Sequence, residues 1–257
     1  MHADQRRLPL AERVAIVTGA GSGIGRAAAL ALAADGALIM ALDESDEGAR
    51  ETVRLIEAAG RRATSVAASI TDRAAMKALV RRCEQDYGRI DILVNNASIG
   101  GGGAFEDISE DRYDRLFEVN VKGTFFVTQA VIPAMKTRAF GRIVNISSLI
   151  AVRGTAGNSH YAGAKAALFG FARSWAVEFA PHGITVNTVV PALTLTPMTT
   201  SSMSEAELEI RARAVPFGRL ATPEDVVPII RFLCTPEAGF VTGQAISANG
   251  GEFVGAL

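Results

Sequence analysis

Val14-Ala15-Ile16-Val17-Thr18-Gly19-Ala20-Gly21-Ser22-Gly23-Ile24-Gly25 is an apolar run that passes into glycines at alternate positions, followed by an alanine-rich stretch to Ala34. The run reads as a strand and the alanine-rich stretch as a helix. Glycine between them lets the backbone turn sharply and lets a ligand approach it closely. An ordinary strand-to-helix turn is the plainer alternative. A glycine loop that leaves a strand and opens a helix, however, also offers uncommitted N–H groups to a phosphate.

Working outward, further short runs rich in Val, Ile, Leu and Ala recur at 37–42, 63–68, 90–94, 142–147, 184–190 and 245–248, with helix-period segments between them. The strands are apolar throughout rather than alternating, so both sheet faces are expected to be covered by helices. The fold class is therefore α/β, a doubly wound parallel sheet of about seven strands. One domain is expected over 13–257, preceded by an extension over 1–12.

Composition narrows the function. A net charge of −1 offers no electrostatic footprint for nucleic acid or an anionic membrane. Cys83 and Cys234 stand far apart, each in a helix-like segment, so buried reduced thiols are expected rather than a disulfide framework or a metal site. Arg6 and Arg7 are followed by Pro9 and Glu12 before any signal-peptide apolar core forms, and the greasy stretch 27–42 is broken by Asp35-Gly36. A soluble cytoplasmic protein is the expectation.

Asp43 ends the second strand, eighteen residues past Gly25. In a dinucleotide-binding fold a carboxylate there accepts hydrogen bonds from the adenosine ribose and repels an added 2′-phosphate. Glu44 follows where a phosphate binder would want Arg or Lys, which favours NAD over NADP. Helix capping is the plainer role for Asp43, but Ser45 and Asp46 are better placed for it. The fourth strand ends in Asn95-Asn96-Ala97-Ser98, then Ile99 and the run Gly100 to Gly103, which reads most simply as a mobile loop. Asn120 lies among Phe117, Val119, Val121 and Phe125. It is either a core amide satisfied by backbone or an anchor near the reacting groups.

Tyr161 and Lys165 are four residues apart in a helix-like segment and so share one face. A free phenol titrates near pH ~10, and a neighbouring ammonium favours its ionised form. Ser148 closes the apolar run 142–147, a hydroxyl available to hold a substrate oxygen. Alone, such a pair is weak evidence, since an amphipathic tyrosine beside a solvated lysine looks the same.

The glycine pattern, Asn95-Asn96-Ala97, Asn120, Ser148, Tyr161 and Lys165, in that order, resemble the short-chain dehydrogenase/reductase family from Val14 to Gly251. The resemblance implies that Tyr161 is the catalytic acid/base, that Lys165 acidifies it and holds the nicotinamide ribose, that Ser148 positions the reacting oxygen, and that Asn120 supports a proton relay. It further implies that Gly19, Ser22, Gly23, Ile24 and Gly25 line the pyrophosphate and that Ser69 and Ile70 flank the adenine. Asn96 and Ala97 would lie along the cofactor, while Pro191, Thr194 and Thr196 clasp the carboxamide end. A lid is expected over about 192–216. Three positions depart from the family's pattern: Ser69 replaces an aspartate, Ser98 a glycine, and Ala192 a glycine whose loss would stiffen the lid hinge if φ there were positive.

The reaction expected is interconversion of a secondary alcohol and a ketone with NAD, on a small-molecule substrate, in a homotetramer or homodimer, with no metal. Reduction of a 3-oxoacyl thioester on a carrier protein is the alternative. Arg138 would support carrier docking, although His182 stands where a second strong cation is usual. A nucleotide-binding sensor or scaffold without catalysis is a third reading. Arg153 is available for a substrate carboxylate, though exposed loop arginines are common.

Overall fold

The computed structural model describes residues 8–255. The first seven residues of the expected extension lie outside them. Leu10, by contrast, is fully buried and its N–H donates to Asp35 O at 2.9 Å, so the packed core takes in chain ahead of Arg13.

Seven strands, β1 (Val14–Thr18), β2 (Leu38–Asp43), β3 (Ala63–Ala67), β4 (Ile92–Asn95), β5 (Gly141–Ile146), β6 (Ile184–Pro191) and β7 (Ala245–Ala248), form one sheet in the order β3-β2-β1-β4-β5-β6-β7. Every neighbouring pair is parallel. Strand order reverses between β1 and β4, the crevice where such sheets bind ligands. β4 starts two residues later than its apolar run; just ahead of it, the buried carboxylate of Asp91 pairs with Arg13 and Arg89 and accepts Val14 N.

The helices are α1 (Gly23–Ala34), α2 (Asp46–Ala58), α3 (Arg73–Tyr87), α4 (Glu110–Phe117), α5 (Thr124–Arg138), α6 (Ile150–Arg153), α7 (Ser159–Phe179), α8 (Pro197–Thr200), α9 (Glu205–Ala214) and α10 (Pro223–Cys234). The period-2 strand sorts side chains into two layers. Ala15 and Val17 of β1 pack with Ala28 and Leu32 of α1 and Ile230 of α10. Val14 and Ile16 pack on the other face with Leu79 of α3, Val127 of α5 and Trp175 of α7. That is why the strands carry no polar alternation. The alanines of α1 bring it close to the sheet, and truncating its fully buried Leu32 to alanine would cost about 2–5 kcal/mol.

A six-residue π-helical turn, Glu118–Gly123, joins α4 to α5. Its extra residue per turn is a local departure of a kind found mostly at functional sites. Among the described residues no helix is long and apolar enough to cross a membrane.

Candidate functional site

The glycine loop leaves β1 with Gly19 at φ 64° and Gly23 at φ 51°, backbone that a side chain would strain. At Gly25 a Cβ would stand 2.0 Å from Gly19 O, so no side chain fits. Thr18 fastens this loop across the switch point: its hydroxyl donates to Val94 O at 3.2 Å and accepts Asn96 N and Ala97 N, each at 3.0 Å. Asn96 answers with its amide, donating to Thr18 O and Gly19 O at 3.1 Å. Ser22 precedes α1 in extended conformation and makes no side-chain capping bond. Side chains of Ser45, Asp72 and Ser109 do cap α2, α3 and α4. The first turn of α1 thus keeps uncapped N–H groups facing the loop, donors that suit a phosphate.

Asp43 accepts Gly21 N at 2.8 Å and Ser45 N at 2.9 Å, while Ser45 takes the capping role at Gly48 N. The carboxylate therefore stands beside the glycine loop rather than capping α2. Glu44, next to it, lies 3.7 Å from Arg115. A cleft of about 110 Å³ opens between Gly19, Asp43, Ile70, Ala97 and Val119. A larger depression, about 350 Å³, lies between α3 and α5 against Met76, Lys77 and Phe126, and none of the candidate residues reaches it. Ser69 bonds the Thr71 hydroxyl at 2.9 Å, and Ile70 packs so tightly on Gly123 that a Cβ there would fall 2.8 Å from it. Thr196 closes the other side, its methyl 3.0 Å from where a Cβ of Gly23 would be. The pattern of glycine cradle, uncapped helix start and flanking carboxylate fits a dinucleotide.

Tyr161 and Lys165 share one face of α7, as their spacing predicts, with the ammonium 5.8 Å from the ring centre. The electrostatics differ from the sequence expectation. Lys165 is 3% exposed and donates to Ile146 O at 3.0 Å, and burial pulls it down to about 8. Burial pushes the phenol up to about 12, opposed by a hydrogen bond from Ser148. With the protein's own groups alone, desolvation outweighs the cationic neighbour. Spacing established adjacency, not the depth at which both groups sit. Ser147 ties the same helix to β5 through Lys165 O at 2.8 Å.

Asn120 sits in the π-turn, fully buried. Its Oδ1 accepts Ile99 N and its Nδ2 donates to Ile99 O, both at 2.9 Å. Its side chain clamps the chain leaving β4, with both polar atoms spent on Ile99 instead of on Tyr161 or Lys165.

The glycine run after Ile99 is docked and not the free loop its composition predicts. Gly103 N donates to Gly157 O at 2.9 Å, and Arg112 of α4 holds Gly102 O at 2.7 Å. His160 lies beside Gly101, and Met198 of α8 lies beside Gly100. The segment expected to act as a lid carries α8 and α9. Pro191 ends β6 in the core, Thr194 is buried with its hydroxyl on Ala192 O at 2.9 Å, and Thr199 bonds Thr194 O at 2.8 Å. Ala192 does not occupy the positive-φ region, so the expected hinge strain is absent. Arg153 is not free for a substrate carboxylate, because it pairs with Glu252. Sequence reasoning assigned nothing to Thr18, Arg112 or His160. Thr18 was findable from its place before Gly19, whereas the other two are defined only by what folds onto them.

A family model described as short chain dehydrogenase matches residues 13–207. The 3-oxoacyl-[acyl-carrier-protein] reductase of Thermotoga maritima is 39% identical over 239 residues, 93% of this chain and 97% of that protein. The (2S)-[(R)-hydroxy(phenyl)methyl]succinyl-CoA dehydrogenase subunit of Thauera aromatica is 41% identical, covering 93% and 96%. Among solved structures, levodione reductase superposes with a TM-score of 0.90 at 31% identity, covering 95% and 98%. A Beutenbergia cavernae structure described as an NAD(P)-dependent gluconate 5-dehydrogenase, with NADP bound at low occupancy, does so at 0.90 and 34%, covering 96% and 98%.

Proposed function

Because the chain belongs to the short-chain dehydrogenase family, oxidoreductases that use a nicotinamide cofactor, we propose that it interconverts a secondary alcohol and a ketone with NAD(H) as the preferred coenzyme. The observation that carries the reading is the placement of Tyr161 and buried Lys165 one turn apart on the same face of α7, with the ammonium 5.8 Å from the phenol ring centre. Bound nicotinamide supplies the acceptor or donor of the carbinol hydride. Tyr161 exchanges the alcohol proton, and Ser148 holds the oxygen as it changes between hydroxyl and carbonyl. A phenol held up at about 12 is protonated at neutral pH, so it serves ketone reduction directly as an acid. Running as a base, it needs added positive charge nearby.

Gly19, Ser22, Gly23, Ile24 and Gly25 would cradle the pyrophosphate, with Asp43 at the ribose and Ser69 and Ile70 toward the adenine. Asn96, Ala97, Pro191, Thr194 and Thr196 would border the nicotinamide half. NAD is favoured by Asp43 and Glu44, whose carboxylates would meet a 2′-phosphate with like charge. We also read the protein as cytoplasmic, in keeping with its unpaired, buried Cys83 and Cys234. Homo-oligomeric assembly, as a tetramer or dimer, is supported by the exposed Phe232 of α10 and the fully exposed Phe240 just beyond it.

Reduction of a 3-oxoacyl thioester with NADPH is the second reading. It rests on the Thermotoga maritima relative and on Arg115, a cation within reach of Glu44. Arg138 gives it little support, since that guanidinium is engaged by Gly88 O at 2.5 Å. Turnover of a panel of secondary alcohols, ketones and an acetoacetyl thioester, followed at the reduced-nicotinamide absorbance with each coenzyme, tests both. NADH-linked turnover of simple ketones supports the first reading. Strong NADPH preference confined to the thioester replaces it with the second, and silence across the panel overturns both.

A further inference from the structure

The strap over Gly100 to Gly103 follows Ile99, which Asn120 clamps, and it runs between the start of α7 and the lid. Each of its glycines has a neighbour within contact range of the position a Cβ would take. A Cβ would lie 3.4 Å from Met198 Sδ at Gly100, 3.3 Å from His160 Nε2 at Gly101, and 3.4 Å from Arg112 Nη1 at Gly103. His160 is the side chain that the strap lies upon. It is 5% exposed, it precedes Tyr161, and its Nδ1 is buried with no hydrogen-bond partner among the described residues.

We propose that His160 is a positioning residue of the substrate site: its neutral imidazole seats the glycine strap as one wall of the site, and its protonation lifts the strap and weakens substrate binding. The inference rests on the dehydrogenase reading for what the wall encloses. The surroundings favour a neutral ring from every side. Among the described residues Arg112 of α4 is the charged group that acts on it, Leu116 of the same helix is apolar, the strap offers only backbone, and on its own element the ring sits in the first turn of α7, the positive end of a helix dipole. Burial, then Arg112, lowers the proton affinity of the ring accordingly. Among the described residues the ring makes no ion pair with a carboxylate, and the adjacent glycines are the backbone most easily displaced.

Amide exchange of Gly103, whose N–H is bonded to Gly157 O, reports the strap directly. Between pH 7 and pH 5, after correction for intrinsic rates, protection in the wild type is expected to fall about tenfold or more, as a buried group without a partner requires. In His160→Asn it is expected to stay level, with His160→Gln as a second neutral replacement. In the ketone-reducing direction KM should rise over the same interval in the wild type, with kcat and coenzyme affinity little changed, and the variants should show a flat KM. Equal acid loss in wild type and variants, or no loss in either, overturns the proposal. A wild type that turns over no substrate sinks the dehydrogenase reading, while the exchange comparison still decides the strap.

Discussion

Replacing Lys165 by methionine removes a buried ammonium while keeping an unbranched side chain of similar volume, so little cavity is created. In the native protein burial lowers this group from 10.5 to about 8, which at 1.36 kcal/mol per unit corresponds to roughly 3 kcal/mol of destabilisation at pH 7. Against that, Ile146 O loses a donor, at a cost of about 1 kcal/mol, the low end for an unsatisfied group because a carbonyl tolerates under-use better than an N–H. The variant should therefore be about 2 kcal/mol more stable at pH 7 and yet lose redox turnover. The sign follows from linkage. Below pH 8 the amine is charged in both states and the folded protein carries the full penalty. Between about 8 and 10.5 the folded state sheds its proton first, and wild-type stability rises with pH. The gap between variant and wild type should accordingly shrink to about 1 kcal/mol or less by pH 10. Urea unfolding of both proteins at pH 7 and pH 10 measures it. A variant less stable than wild type at pH 7, or a difference independent of pH, would refute the reasoning.

Difference titration of tyrosine absorbance, wild type minus Tyr161→Phe and without coenzyme, should show one phenol ionising near pH 12, and ionisation near neutrality would mean that Lys165 dominates after all. The same substitution should lower kcat by about 10²–10⁴-fold with coenzyme affinity intact, the range expected for loss of a general acid. Asn120→Ala removes the partner of two part-buried backbone groups of Ile99 and should cost about 1–2 kcal/mol in thermal or urea unfolding. Full stability with lost turnover would show that the amide serves the reaction and not the strap. Gly25→Ala, forced against Gly19 O, should abolish coenzyme binding by equilibrium titration, and normal affinity would contradict the cradle geometry.

Much of this architecture was legible in the chain because its signals are local. Apolar runs gave all seven strands to within two residues, and the glycines before α1 announced the crevice, since only backbone chemistry was needed to read them. Three features escaped for a common reason: each depends on what a distant segment brings. The strap looked mobile because four glycines say nothing of His160 and Arg112 on either side. Arg153 looked available because Glu252 lies 99 residues away. Tyr161 looked acidic because adjacency to Lys165 is visible in sequence, whereas the dry environment that reverses the balance belongs to the folded core. The π-turn was hidden as well, since hydrophobic period does not register one added residue.

That added residue has a genetic corollary. An α-helix advances about 100° per residue, so an in-frame loss of one codon between Glu118 and Gly123 would restore regular winding and swing Asn120 away from Ile99 while leaving the hydrophobic pattern of α5 superficially intact. Such an allele would look innocuous in an alignment of residue types, yet it would unfasten the segment leaving β4 at Ile99, making this short stretch intolerant of length changes even where individual side chains are replaceable.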